Sequence, residues 1–213
     1  CTTVLAIVLM TMIASGGGFQ LNEHGARAMA QGGAWAARAY DGSAIFFNPA
    51  GLAFQRGMHV YLGTTLIAPS AKFYGPSPGT TENKMESQIF TPINVYGTYA
   101  VTDDIVVGLG IYNPYGLGTE WPAGWAGSLI TEKVDLQSFY FTPTVAYKIS
   151  DDLSVGVGVN IVTGAAKLSR QVDVLGIRSK IAIDASGIGY GFNAGVLFKP
   201  TTDLSVGVTY RSS

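Results

Sequence analysis

From about residue 57 onward the chain alternates between apolar positions and small or polar ones, the period-two pattern of β-strands. Leu153, Val155, Val157, Val159 and Ile161 fall on one side, and Ser154, Gly156, Gly158 and Asn160 on the other. The same division separates Leu204, Val206, Val208 and Tyr210 from Ser205, Gly207, Thr209 and Arg211. It also separates Tyr190, Phe192, Ala194, Val196 and Phe198 from Gly189, Gly191, Asn193 and Gly195. The runs predict about seven strands, starting near residues 58, 88, 105, 134, 153, 181 and 204.

Two kinds of connection alternate between these strands. The short kind contains aspartate: Thr102-Asp103-Asp104, Ser150-Asp151-Asp152 and Pro200-Thr201-Thr202-Asp203. A similar strand follows each, at intervals of roughly 50 residues. The long kind covers about 74–86, 116–132 and 173–179. Tyr99, Tyr147 and Phe198 each fall just before a short turn, where an aromatic girdle meets a membrane interface. Short turns on one rim and long loops on the other predict an all-β, antiparallel transmembrane barrel whose apolar face meets lipid. Such barrels have even strand numbers and no open edge, so further strands are expected beyond Ser213.

Residues 17 to 56 do not alternate. This stretch is rich in Gly and Ala, with turn chemistry at Asp41-Gly42 and Asn48-Pro49. Its apolar residues, Phe19, Leu21, Met29, Trp35, Ile45, Phe46, Phe47 and Leu52, argue against a disordered leader. A compact plug inside the barrel satisfies them. Before it, Val4 to Ala14 has the length of a signal-peptide h-region followed by small residues. Residues 1 to 16 therefore read as part of a signal peptide, with cleavage near Gly16 or Gly17. The expected organisation is 1–16 partial signal, 17–56 plug or hatch, and 57–213 the first half of a barrel.

Composition narrows the function classes. Charged residues are 13% of the 213, and the net charge is −1, so nothing here attracts nucleic acid. Cys1 is the only cysteine and His24 and His59 the only histidines, too little for a Cys/His zinc site. No catalytic set stands out. Ser43 near Asp41 lacks a nucleophile elbow, and Asp103-Asp104 and Asp151-Asp152 read as solvated turn chemistry. Gly156-Val157-Gly158 lacks the strand-to-helix context of a dinucleotide site. No cofactor is implied.

Four stretches carry a family resemblance. They are Gly18-Phe19-Gln20-Leu21-Asn22-Glu23, Asn48-Pro49-Ala50, Tyr115-Gly116-Leu117-Gly118-Thr119-Glu120-Trp121, and Gly191-Phe192-Asn193-Ala194-Gly195 with Thr209-Tyr210-Arg211-Ser212. With them the chain resembles the FadL/TodX family of outer-membrane transporters for long-chain fatty acids and aromatic hydrocarbons. The resemblance implies a barrel of about 14 strands with an N-terminal hatch that includes Asn48, Pro49 and Ala50. It also implies that this chain holds the hatch and about half of the strands.

Two sites follow. In Asn113-Pro114-Tyr115-Gly116-Leu117, Pro114 cannot donate a ladder hydrogen bond and Gly116 relaxes the backbone. The stretch reads either as an ordinary strand end or as a kink that opens the wall. The resemblance favours the kink, because members release substrate sideways at the third strand. Arg170 lies on the lumen side by parity from Ser154, provided no bulge intervenes. An arginine in an apolar lumen needs an anion, either a structural carboxylate or that of a fatty acid. The resemblance matches Arg170 to an arginine that holds the ligand carboxylate; Phe19 is the other ligand-binding candidate. The expected function is passive uptake of a hydrophobic molecule, gated by the hatch, by a monomer whose other partner is membrane lipid. A general porin, a structural or adhesive barrel, and a barrel enzyme are the rivals.

Overall fold

A computed structural model of the chain describes residues 19–75 and 81–212. The expected signal segment and cleavage site lie outside the described residues. The strands are β1 (Met58–Thr64), β2 (Lys72–Tyr74), β3 (Glu82–Lys84), β4 (Ile93–Ala100), β5 (Ile105–Tyr112), β6 (Gly116–Glu120), β7 (Lys133–Lys148), β8 (Leu153–Val174), β9 (Ile177–Phe198) and β10 (Val206–Arg211). The main sheet is antiparallel in the order β1-β4-β5-β7-β8-β9-β10, with β6 on β7 beyond the end of β5. It is an open sheet. Strands β2 and β3 form a separate hairpin in the connection between β1 and β4.

Cross-strand rows of β7, β8 and β9 show what each face is made of. On the outer face the rows rise from Tyr147–Val155–Val196 through Val145–Val157–Ala194 and Phe141–Ile161–Tyr190 to Phe139–Thr163–Ile188. The next row is Gln137–Ala165–Ser186, and above it stands Asp135–Lys167–Asp184. With the Leu153–Phe198 pair below them, these rows make an outward apolar band from Leu153 to Thr163 on β8, and ten such steps, tilted as barrel strands are, stand roughly 25 Å tall, the height of a bilayer core. The inner face runs the other way. It is small or polar low down, with Thr144–Gly158–Asn193, and passes through Ser138–Gly164–Gly187. Above that it turns apolar, with Leu136–Ala166–Ala185 and Val134–Leu168–Ile183. The two faces exchange character at one level of the sheet.

The N-terminal segment packs on the small inner positions. It contains the one-turn helices α1 (Ala26–Met29) and α2 (Ala44–Phe47) and a 3-10 turn, Pro49–Phe54. Its core is Trp35, Ile45, Phe46 and Leu52, which bury against Tyr96, Val106 and Tyr112 of β4 and β5. Asn48 is fully buried. Its amide donates to Ala36 O at 2.8 Å and Val196 O at 3.1 Å, while its Oδ1 accepts from Ala50 N at 3.1 Å. Ser154 Oγ donates to Ala50 O at 2.8 Å, and Asn193 Nδ2 to Ile45 O at 2.7 Å. Arg211 donates to Phe46 O and lies over the Phe46 ring at 4.1 Å. A Cβ on Gly156 or Gly195 would overlap Pro49 or Asn48, so the strand glycines make the seat.

The structure moves three boundaries. Residues 173–179 were expected to form a long loop. Instead β8 and β9 run 22 residues each and turn at Leu175 and Gly176, both at positive φ. Their upper halves lost the expected outward-apolar alternation because the faces exchange there, not because the strands end. The strand expected near 88 starts at Ile93, preceded by an isolated Ile67–Phe90 bridge. The loop expected over 116–132 shrinks to 121–132, since Gly116–Glu120 is strand.

His24 stands in the segment's core, with its ring 3.8 Å from that of Phe46 and 5.4 Å from that of Tyr112. Burial first, and the nearby Arg211 guanidinium second, lower its pKa from 6.5 to about 3. The packed segment therefore holds neutral His24, whereas a released one takes up a proton below its usual pKa. Packing is at full strength above pH 6.5 and weakens as pH falls towards 3. His24→Phe should remove this dependence, which protease digestion of detergent-folded full-length protein between pH 7 and 4 will measure. A parallel loss of protection in both proteins would refute it. Gly156→Val should expose the same segment at neutral pH while the barrel's heat-modifiable gel mobility is retained. Unaltered protection would show that the glycine seat is dispensable.

Candidate functional site

The ladder of β7 is interrupted opposite its middle. Tyr112 of β5 pairs with Tyr140, and Gly116 of β6 pairs with Gln137. Asn113, Pro114 and Tyr115 thus face only Ser138 and Phe139, which is a bulge of one residue. Pro114 has no N–H for the ladder. The side chain of Asn113 takes over. Its Nδ2 donates to Ser138 O at 2.7 Å, and its Oδ1 accepts from Ile93 N at 2.9 Å, so one side chain joins β7 to β4. Ser138 Oγ closes the bulge, accepting from Tyr115 N at 3.1 Å and donating to Tyr115 O at 2.8 Å.

The remaining main-chain groups turn to the N-terminal segment. Leu21 N donates to Pro114 O at 2.8 Å, and Gly116 N donates to Phe19 O at 3.0 Å. These bonds form an antiparallel bridge between Gln20 and Tyr115. Gly116 itself is not at positive φ, which corrects the expectation that it relaxes the backbone. Its role is space, because a Cβ there would press on Leu21 at 3.3 Å. On the far edge of β6 the Phe90 ring occupies the room beside Gly118 that a Cβ would need.

Two cavities meet at this break. One, of about 410 Å³, is lined by Leu21, Ile67, Phe90, Tyr115, Gly116 and Phe139 among others. Its wall includes the inward Leu136 and Ser138 and the outward Phe139, so residues of both faces of the sheet border it. The other, also about 410 Å³, lies beside Phe19, Tyr115, Gly116, Leu136, Ala166 and Ala185. Tyr115, Gly116, Leu136, Gln137 and Ser138 line both. The break faces the row Ser138–Gly164–Gly187, the level at which the two faces of the sheet exchange character.

Arg170 stands higher on the same inner face. The ladder between β8 and β9 is unbroken from Leu153 to Val174, so the parity from Ser154 holds. Its neighbours on that face are Leu168, Val172 and its cross-strand partner Ile181. No carboxylate forms an ion pair with Arg170 among the described residues. The nearby buried Glu132 is engaged by Lys180 at 3.3 Å and Gln171 Nε2 at 2.8 Å. That pairing also fastens the 121–132 loop to the β8–β9 hairpin. In the same loop Trp121 stacks on Trp125 at 4.2 Å, and Phe73 of β2 meets Trp125 edge-on at 5.4 Å.

The structure thus brings Phe19, Asn113, Pro114, Tyr115, Gly116 and Leu117 to one place. Asn48, Pro49 and Ala50 sit lower, against β8 and β9, and Arg170 sits above. Ser138, Leu21 and Phe90 were missed. Ser138 reads as one more alternating strand residue, and Leu21 and Phe90 are distant from the break in sequence.

The whole described chain matches the profile of the outer membrane protein transport protein family, OMPP1/FadL/TodX, over residues 7–213. A long-chain fatty acid transport protein of Escherichia coli O6:H1 is 26% identical over 98% of this chain and 53% of its own length. A Pseudomonas aeruginosa FadL homologue aligns with a TM-score of 0.74 at 21% identity, covering 92% of this chain and 53% of that one. The CymD monoaromatic hydrocarbon channel aligns at 0.68 and 18% identity, with 91% and 53% covered. These two structures show the fold. The chain spans about half the length of the relatives it matches. With its antiparallel sheet, lipid-facing band and interrupted wall, the chain belongs to the OMPP1/FadL/TodX family of outer-membrane transporters for hydrophobic compounds.

Proposed function

We propose that the protein takes up long-chain carboxylates passively, binding the head at Arg170 and releasing the molecule sideways through the break at Asn113–Leu117. One observation carries this reading: the wall is broken at the level where the apolar surface passes from its inner to its outer face. A hydrocarbon that stays on apolar surface follows Leu168–Ile183 and Leu136–Ala166–Ala185 downward on the inside. It meets polar and small groups below Ser138, while the apolar surface continues on the outside at Phe139. Six residues separate Arg170 from Gly164 on β8, roughly 20 Å along the strand. That is the length scale of a long acyl tail with its head at Arg170.

Residues 17–56 act as a hatch in this reading, with Phe19 to Leu21 as the strap across the break. Ligand contact with Phe19 displaces the strap, since the bridge to Tyr115 rests on two main-chain hydrogen bonds. Nothing in the path calls for a cofactor or an energy source. The protein works as a single barrel in lipid. A general porin is disfavoured because the inner surface above the break is apolar and the seat below it is filled.

Arg170→Ala in the full-length protein should weaken binding of a long-chain fatty acid by about 1.5–3 kcal/mol, the loss of a charge-assisted hydrogen bond. A neutral aromatic hydrocarbon should bind as before. Equal loss for both ligands, read by calorimetry in detergent, would make Arg170 structural. For the break, Pro114→Val combined with Gly116→Val should favour continuous pairing and crowd Leu21. Uptake by cells holding equal amounts of folded protein should fall, with assembly intact. Full uptake through a demonstrably sealed wall would end the lateral route.

A further inference from the structure

The outer surface beside the break carries a notch that lies beyond the path described so far. It is a cavity of about 360 Å³ lined by Gln137, Phe139, Thr163, Ala165, Ser186 and Ile188, with Gly164 and Gly187 in its floor. The six side chains belong to two successive outward rows, Gln137–Ala165–Ser186 and Phe139–Thr163–Ile188. Gln137 and Phe139 also line the cavity at the break, so the notch and that cavity are neighbours along β7.

Its position is set by the rows around it. Below lies Phe141–Ile161–Tyr190, wholly aromatic and aliphatic, and above lies Asp135–Lys167–Asp184. The notch therefore marks the boundary between hydrocarbon and head groups. Ala165 and Ser186 are too small to fill the room that the larger Gln137, Phe139 and Ile188 leave beside them. In lipid such a depression is filled by a hydrocarbon chain, because a void would forfeit its dispersion contacts.

We propose that this notch is the outer docking site of the transported ligand. It takes the alkyl body of the molecule as it emerges at Phe139, with the Thr163 and Ser186 hydroxyls facing its polar end. An ionised head is disfavoured, since Asp135 and Asp184 flank the single Lys167 in the row above. The occupant is thus the long-chain acid in its protonated, uncharged form, in contrast to the anion that suits Arg170. The inference rests on the lateral path proposed above and extends it to the outer surface.

A photo-crosslinking amino acid in place of Ser186, in full-length protein in outer-membrane vesicles, tests it with tritiated palmitate supplied from outside. Labelling is expected in the parent and lost when Pro114→Val and Gly116→Val seal the wall. Labelling that persists with the wall sealed means that palmitate reaches the notch from the bilayer, and overturns the proposal. Crosslinks to lipid alone overturn it as well. Ala165→Trp fills the notch from outside and should lower uptake several-fold while palmitate binding in detergent is kept. Normal uptake with that variant folded and inserted removes the docking site and leaves the lateral route standing. Normal uptake with the wall sealed removes the route itself.

Discussion

The two hydrogen bonds of the Asn113 side chain replace main-chain bonds that Pro114 and the adjoining bulge cannot make. In a bilayer each unsatisfied main-chain group costs several kcal/mol, so a strand can be interrupted only where something else meets its polar groups. Here four devices do so: the Asn113 amide, the Ser138 hydroxyl, and the Phe19 carbonyl and Leu21 amide of the N-terminal segment. Two are permanent side-chain substitutes within the wall. The other two belong to a segment that is not part of the wall. The break is therefore satisfied partly by the wall itself and partly by a segment outside it.

The same logic explains the seat of the N-terminal segment. Strand glycines remove side chains where Pro49 and Asn48 approach, and polar residues on those strands answer the segment's carbonyls one by one. Ser154 reaches Ala50, Asn193 reaches Ile45, and Arg211 reaches Phe46. The lumen is polar low down because it must satisfy a folded piece of main chain. Above the seat no main chain needs such partners, and the inner face is free to become apolar.

The sequence showed the lower part of the barrel well. Alternation from Leu153 to Ile161 and from Gly189 to Phe198 assigned both faces, and the aspartate turns placed the short rim. It misled above Thr163, where Ala165, Lys167 and Ser169 replace apolar residues on the outward parity. A fading outward-apolar pattern resembles the end of a strand. Only the register showed that Leu168, Val172, Ile181 and Ile183 continue the alternation on the opposite face. The stretch Asn113 to Leu117 was legible because proline and glycine have few uses inside a central strand. Its closure by Phe19 and Leu21 was not, since nothing local records a pairing across more than ninety residues.

The exchange of faces also sorts the charges. On the outside above the apolar band, acidic and basic groups answer one another: Lys133 with Glu120 at 2.8 Å and Lys180 with Glu132 at 3.3 Å. Such a surface is neutral towards passing ions and stiffens the loop and hairpin it joins. On the inside Arg170 stands among Leu168, Val172 and Ile181 and forms no ion pair among the described residues. A guanidinium on an apolar surface attracts an anion more strongly than the same group amid mixed charges, because less water and fewer competitors screen it. The strand that separates these two environments is one continuous β8. Its alternation therefore sets an arginine amid apolar side chains on one face and a mixed-charge surface on the other, six residues above the row that faces the break.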